Sequence, residues 1–265
     1  YSANPLYYAE NLYINGELAT EIVIPEGVTK IDDYLFYGCD SLTSVIIGDG
    51  VTDIGSYAFY GCDNLASVTI GSGVEKIGYN AFYDCYNLTD VNITDLAAWC
   101  NIEFDYEDSD EWETYYSYSA NPLCYAENLY INGELATNIV IPDGVTSISA
   151  YAFSADSIVS VVIPGSVTDI GSYAFSGCSK LLSVNIPDGV TSIGEGAFYG
   201  CSGLTNIEIP GTVKTVGGNA FSGCSNLVSA TLSEGVESIG SSAFEDCSSL
   251  VSIAVPDSVT SMGSI

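Results

Sequence analysis

Cysteine is the residue whose spacing most invites chemistry in this chain. Cys39, Cys62 and Cys85 recur every 23 residues, and so do Cys178, Cys201, Cys224 and Cys247. Regularly spaced thiols could bind metal, form disulfides or act as nucleophiles. The sequence contains no His and no C-x-x-C pair, which argues against a zinc site. Without His there is no Ser-His-Asp or Cys-His arrangement either. Four Lys and no Arg leave few clamps for an anionic substrate, and no GxxxxGK loop is present. No catalytic residue, cofactor or metal is therefore expected, and the chain is read as a non-enzyme. Paired carboxylates of the glycosidase type stay open as an alternative. However, most of the 34 acidic residues are scattered over turn positions. The one dense acidic run holds Asp105, Glu107, Asp108, Asp110, Glu111 and Glu113. An EF-hand loop starting at Asp105 would need Gly where Asp110 stands, so a solvated acidic loop is the expected reading and calcium the alternative.

The 23-residue spacing assigns the thiols a different role. In a stacked repeat they form a column with rungs about 4.8 Å apart. That distance allows a disulfide, but parallel Cβ vectors give it poor geometry. Free, buried thiols acting as small apolar fillers are expected. Cys100 and Cys124 lie outside the columns and could pair with each other. Tyr7 takes the place of Cys124 in a second copy of the same segment, so the fold does not require that bond.

Aromatic residues form columns too. Phe36, Phe59, Phe82, Phe153, Phe175, Phe198, Phe221 and Phe244 read as a stacked core spine. Tyr34, Tyr57, Tyr151 and Tyr173 stand two residues before a Phe, and Tyr37, Tyr60, Tyr83 and Tyr199 one after it. These are expected to be partly exposed, either stacked on one another or touching a ligand. The tryptophans, Trp99 and Trp112, both fall near the acidic run. Trp99 sits in a short apolar stretch and reads as a core plug. Trp112 sits in a polar stretch with Tyr106, Tyr115, Tyr116 and Tyr118. Trp and Tyr are common interface anchors, so these five are the candidate ligand-binding residues.

The elements that position these side chains follow from one unit, VNIPDGVTSIGEGAFYGCSGLTN at residues 184–206. Val184 and Ile186 alternate as in a short strand. Pro187-Asp188-Gly189 turns the chain, Val190 and Ile193 begin a second extended stretch, and residues 197–201 are expected to make a helical turn. A fixed period of this length marks a solenoid, whose units are stable only when stacked. The expected fold is mainly β, with parallel strands near residues 45–47, 68–70, 161–163, 184–186 and 207–209.

A larger cassette encloses the small repeat. Residues 1–20 and 118–137 are identical except at Tyr7 and Cys124, an offset of 117. Asn121-Pro122 suggests an N-cap with Pro at the first helical position. Asn15-Gly16 and Asn132-Gly133 are strong hairpin signals. The expected domains are a hairpin segment (1–21), three repeats (22–90), a spacer island (91–138), and five repeats with a truncated sixth (139–265). In the island, Thr94 could cap a short helix over residues 95–100. The unit at 139 is one residue short, with Ala155-Asp156 in place of Gly-Cys, so a local irregularity is expected there.

A formal net charge of −30 excludes nucleic acid and anionic membrane as partners. Mean hydropathy is +0.28, yet no apolar run is long enough to span a membrane. The chain opens in mid-motif, as expected of a segment of a longer protein.

The I-P-x-x-V-T-x-I-G-x-x-A-F-x-x-C-x-x-L pattern, seen from Ile186 to Leu204, resembles the BspA-like leucine-rich repeats of bacterial cell-surface proteins. The DLAAWCNI and NPL-x-YA-x-NLY-x-NGEL segments are similar to the spacers that punctuate such arrays. The resemblance implies a right-handed leucine-rich-repeat solenoid, an extracellular, cell-surface location, and adhesion to a host or microbial protein or glycan. It supplies no set of binding residues. A passive spacer presenting other domains is the rival expectation, and the segment is expected to be monomeric.

Overall fold

The computed structural model describes residues 11–105 and 120–264. The chain divides into two compact units, Tyr1–Leu135 and Ala136–Ile265.

Unit 1 begins with a hairpin, β1 (Tyr13–Ile14) and β2 (Glu17–Leu18), paired antiparallel. Asn15 and Gly16 both take positive φ, 53° and 85°, as a two-residue turn between twisted strands requires. Two kinds of strand then alternate. The longer ones are β3 (Glu21–Val23), β5 (Ser44–Ile47), β7 (Ser67–Ile70) and β9 (Asp90–Ile93). The shorter ones are β4 (Lys30–Ile31), β6 (Asp53–Ile54) and β8 (Lys76–Ile77). Helix α1 (Leu96–Trp99), β10 (Glu103–Phe104), a 3-10 turn at Pro122–Cys124, β11 (Asn128–Ile131) and β12 (Glu134–Leu135) follow. Each kind of strand forms its own sheet. The first runs β12-β11-β9-β7-β5-β3 and the second β10-β8-β6-β4. All the long strands pair in parallel, in register with the period, as in Val45 with Val68 and Val68 with Val91.

The island breaks the 23-residue period but extends each sheet of unit 1. β10 pairs with β8, and β11 pairs with β9 over four residues, Asn128 with Asp90 through Ile131 with Ile93. That offset of 38 residues exceeds the repeat by 15, close to the length of the acidic aromatic run at 105–118. Within the island Asn121 caps the 3-10 turn, accepting from the Leu123 amide at 2.8 Å, with Pro122 as its first residue. The cap of α1 is Asp95, whose Oδ1 accepts from the Ala98 amide at 2.9 Å, rather than the expected Thr94. Thr94 instead donates its hydroxyl to Asp49 at 3.3 Å, and the neighbouring carboxylate takes the cap. Trp99 is fully buried, edge-on to Phe104 with ring centroids 5.3 Å apart.

Unit 2 repeats the plan with long strands β13 (Asn138–Val140), β15 (Ser160–Val162), β17 (Ser183–Val184), β19 (Asn206–Ile209), β21 (Ser229–Leu232) and β23 (Ser252–Ala254). Its short strands are β14 (Ser147–Ile148), β16 (Asp169–Ile170), β18 (Ser192–Ile193), β20 (Thr215–Val216), β22 (Ser238–Ile239) and β24 (Ser261–Met262). The short strands form one continuous six-stranded sheet, whereas the long ones split into β13-β15-β17 and β19-β21-β23. The expected strand at 184–186 is therefore cut short and does not pair with β19. On the β15 side, Asn185 ends the backbone pairing. Its side-chain amide accepts from the Ile163 N–H at 2.9 Å and donates to the Ile163 carbonyl at 3.0 Å, taking the place of strand backbone. Val184 and Ile186 are left half-buried, whereas Val161 and Ile163 one turn earlier are buried.

The third side of each turn is not the helical turn expected. Around Phe198, amides bond back by three residues (Tyr199 to Gly196 at 2.8 Å, Cys201 to Phe198 at 3.2 Å). The alternate amides, Gly196, Phe198 and Gly200, each donate at 2.8 Å to the next turn, to Gly218, Ala220 and Ser222. Positive φ at Gly196 (56°) and Gly200 (69°) breaks the helix and turns those N–H groups outward. The core inside is the expected aliphatic set with its Phe spine. Successive rings stack 5.1–5.3 Å apart, as in Phe59–Phe82 and Phe175–Phe198.

Candidate functional site

None of the nine cysteines is in a disulfide. The column thiols do more than fill space. Each of Cys62, Cys85, Cys201, Cys224 and Cys247 donates its S–H to the carbonyl of the Phe one turn earlier, at 3.1–3.3 Å. The same Phe carbonyl already accepts the Cys amide of its own turn, as Phe175 does from Cys178 at 3.3 Å. The thiol is thus a second donor to that carbonyl, a role the spacing alone did not reveal. Cys178 reaches only 3.7 Å to Phe153, where the shortened unit places buried Ala155 in the column. Burial pushes the thiols well up, Cys39 and Cys247 to about 11 and Cys85, Cys178 and Cys224 to about 12. Neutral, buried thiols are poor nucleophiles. Cys100 is buried and Cys124 exposed, and they are not bonded to each other.

The tyrosines stack in two columns. Tyr34 and Tyr57 lie 4.9 Å apart, Tyr37 and Tyr60 4.8 Å, and Tyr60 and Tyr83 5.4 Å. Tyr125 of the island closes the second column edge-on to Tyr83. In unit 2 Tyr151 stacks on Tyr173 at 5.3 Å, and Tyr173 donates to Glu195 at 3.1 Å. Tyr34, Tyr57, Tyr151 and Tyr173 all hold positive φ between 56° and 62°, costing about 1–2 kcal/mol each for a side chain with Cβ. Stacking offsets about 0.5–1.5 kcal/mol of that per pair. Asn80 follows Tyr57 in the same column, and its amide oxygen is buried without a hydrogen-bond partner. Burial and the Asp84 carboxylate hold the Tyr60 hydroxyl protonated far above the usual range. Most of these rings therefore serve one another.

Charge is organised on the second sheet of unit 1, where Lys30, Asp53, Lys76 and Glu103 face one another across consecutive strands. Lys76 reaches Glu103 at 2.9 Å and Asp105 at 2.8 Å, tying the island to the repeats. Asp105, the first residue of the notional calcium loop, is thereby engaged by a lysine. Among the described residues no cluster of carboxylates or thiols is arranged to hold a metal ion. Tyr106, Trp112, Tyr115, Tyr116 and Tyr118 lie outside the described residues.

The outer face of the long strands forms a second regular surface in each unit. In unit 1 one row reads Glu21, Ser44, Ser67, Asp90, Asn128, and the next Val23, Ile46, Thr69, Asn92, Tyr130. In unit 2 Asn138, Ser160 and Ser183 continue the first pattern, and Val140 and Val162 the second. Several polar members bond along the row, Ser160 to Asn138 at 2.7 Å and Asn128 to Asp90 at 3.0 Å. The aliphatic members do not fit a solvated face: Val23 is 64% exposed, Ile46 45%, Val140 64% and Val162 49%. Val23 and Val140 are 117 residues apart, so both cassettes carry the exposed pair at the same place.

Turns with a long strand, a short strand and a hydrogen-bonded bend, closed over an aliphatic, Phe, Cys and Leu core, define a leucine-rich-repeat solenoid. Residues 9–103, 127–202 and 146–265 match the BspA type leucine rich repeat region, in six copies, and the chain belongs to this family. Among solved structures it is similar to a leucine rich cell surface protein of Faecalibacterium prausnitzii A2-165, with 30% identity and a TM-score of 0.57 over 90% of this chain and 60% of that one. A leucine-rich repeat protein of Bacteroides ovatus is 27% identical, with a TM-score of 0.50 over 91% and 67% of the two chains. The pneumococcal vaccine antigen PcpA, 17% identical with a TM-score of 0.52 over 91% and 73%, shares the fold. This chain spans about 60% of the length of the Faecalibacterium protein. No curated protein matches it. Among the described residues no helix is long and apolar enough to cross a membrane.

Proposed function

We propose that this chain is a non-catalytic binding segment of an extracellular, cell-surface protein, and that it holds a protein or glycan partner on the outer face of its first sheet. The observation that carries this reading is the exposed aliphatic pair repeated in both cassettes, Val23–Ile46 and Val140–Val162, bordered by Ser, Thr and Asn. Exposed apolar groups beside hydrogen-bonding side chains are the makings of an interface core and rim. The named location of the Faecalibacterium relative supports the cell-surface part. The test is a screen of the chain against glycan and matrix-protein arrays, repeated with Val23→Ser/Ile46→Ser and with Val140→Ser/Val162→Ser. Specific binding that falls at least tenfold in either double variant supports the reading. Binding unchanged in both but lost in Trp112→Ala would move the contact to the acidic aromatic run. A silent screen would favour the passive spacer.

A further inference from the structure

The exposed aliphatic pairs stand at the same register of the two arrays. Val23 lies beside Ile46 across β3 and β5, and Val140 beside Val162 across β13 and β15. Val140 is well inside the sequence and is as exposed as Val23, at 64%. Ile46 and Val162 match as well, at 45% and 49%. In both arrays the apolar row stops after two turns. Thr69 and Asn92 continue it in unit 1, and Asn185 continues it in unit 2. One contact surface is therefore made twice, once in each unit.

The charge bordering these pairs has one sign. The turns that follow the long strands carry exposed carboxylates, Glu26, Asp49 and Asp95 in unit 1 and Asp143, Asp188 and Glu234 in unit 2. Glu26, Asp49 and Asp143 come three residues after Val23, Ile46 and Val140. Three residues span at most about 11 Å, close to the Debye length of about 10 Å in 0.1 M salt. Asp49 is held in its charged form. It accepts from the Ser72 amide at 2.7 Å and the Thr94 hydroxyl at 3.3 Å, which keep its carboxyl below the usual range. No Lys stands on a long strand or on the turn that follows one, and the sequence has no Arg. Lys30 and Lys76 belong to the second sheet of unit 1, where Asp32 engages the first and Glu103 and Asp105 the second. A sugar ring finds little to stack on here. Neither pair contains an aromatic ring, and the tyrosine columns cover one another's faces.

We infer that each pair binds the same kind of partner, a protein segment in which Lys or Arg side chains flank aliphatic ones. The inference rests on the binding face proposed above and adds the class of partner and a site in each unit. Val23–Ile46 and Val140–Val162 supply the apolar contact at the centre. The carboxylates at its border attract cationic segments and repel acidic ones, which sets specificity and association rate more than affinity.

Selection of a displayed library of random peptides on the whole chain tests the inference. Recovered peptides should be enriched in Lys or Arg beside Val, Ile or Leu. One of them, synthesised and titrated calorimetrically, should fill one site in each unit. Val23→Ser/Ile46→Ser should halve the number of sites, and so should Val140→Ser/Val162→Ser. Val23→Thr/Ile46→Thr keeps the branched shape of the strand residues and replaces the Ser pair if that variant melts early. With the unit 2 site removed, Glu26→Gln/Asp49→Asn should weaken the remaining site by about threefold or more, as expected of rim charges. Asp53→Asn/Glu75→Gln takes the same charge from outside this face and should leave affinity unchanged. Neutral or acidic peptides, or a glycan, that the Ser variants release would leave the binding face standing and overturn the cationic partner. Basic peptides weakened equally by both charge-removing variants are held by net charge alone, which overturns the inference. A single site per chain, or a selection that enriches nothing, overturns it as well.

Discussion

Replacing Cys201 by Ala measures what the thiol column contributes. The side chain is fully buried and its S–H meets the Phe175 carbonyl at 3.1 Å. Removing a group the size of a methylene loses about 0.8 kcal/mol of transfer energy. A residual cavity of some tens of Å³ adds about 0.5 kcal/mol. The weak S–H···O bond adds roughly 0.5–1 kcal/mol. Phe175 keeps the Cys178 amide, so its carbonyl is not orphaned and no larger penalty applies. The expected loss is about 2 kcal/mol, or a fall of about 4–10 °C in the melting temperature of unit 2. Cys201→Val restores the volume without the donor and should recover only part of the loss. Cys39→Ala is the control, because Cys39 is equally buried but donates to no carbonyl among the described residues. Calorimetry together with amide exchange at Phe198 and Phe221 reads the effect locally, since a solenoid can open turn by turn. A Cys201→Ala change that costs under about 0.5 kcal/mol would refute the argument, because transfer alone exceeds that. Equal costs for Cys39→Ala and Cys201→Ala would remove the hydrogen bond from it.

The same thiols make stability fall at alkaline pH. Their folded pKa is raised by burial, so the contribution is complete below the unfolded value near 9 and drains away as pH rises toward about 11–12. The slope is up to about 1.4 kcal/mol per pH unit for each buried thiol, and a melting temperature that is flat between pH 8 and 11 would contradict it. Native labelling with maleimide should modify Cys124 and spare the column until denaturant is added, as intact-mass spectrometry would show. Gly196→Ala should cost about 2–4 kcal/mol, because the new Cβ would lie 2.3 Å from the Tyr173 ring at a φ of +56°; adding Tyr173→Ser should recover much of it, and thermal melts decide. Lys76→Met frees Glu103 and Asp105 at an exposed site, so it should cost under about 1 kcal/mol, vanish in high salt, and show as faster amide exchange at 103–105.

The 23-residue period alone determined the parallel strands, the Phe spine and the buried thiols. A strict repeat gives equivalent residues similar surroundings, so the Phe and Cys positions are buried in turn after turn. Asn-Gly determined both hairpins, because few residue pairs accept two positive φ values in succession. The island was legible as a break in the period. That it continues both sheets was not, because the pairing of β11 with β9 joins residues 38 apart, a spacing that occurs once and leaves no pattern to count. Asn185 looks like any polar residue on an outward strand position. Only its placement beside Ile163 lets the amide replace the strand backbone and end the β15–β17 pairing. The candidate surface divides in the same way. Val23, Ile46, Val140 and Val162 read as ordinary strand residues, since a short aliphatic run does not say which of its members faces inward. Strand register decided that, turning each of these four side chains to the outer face while its neighbours closed the core.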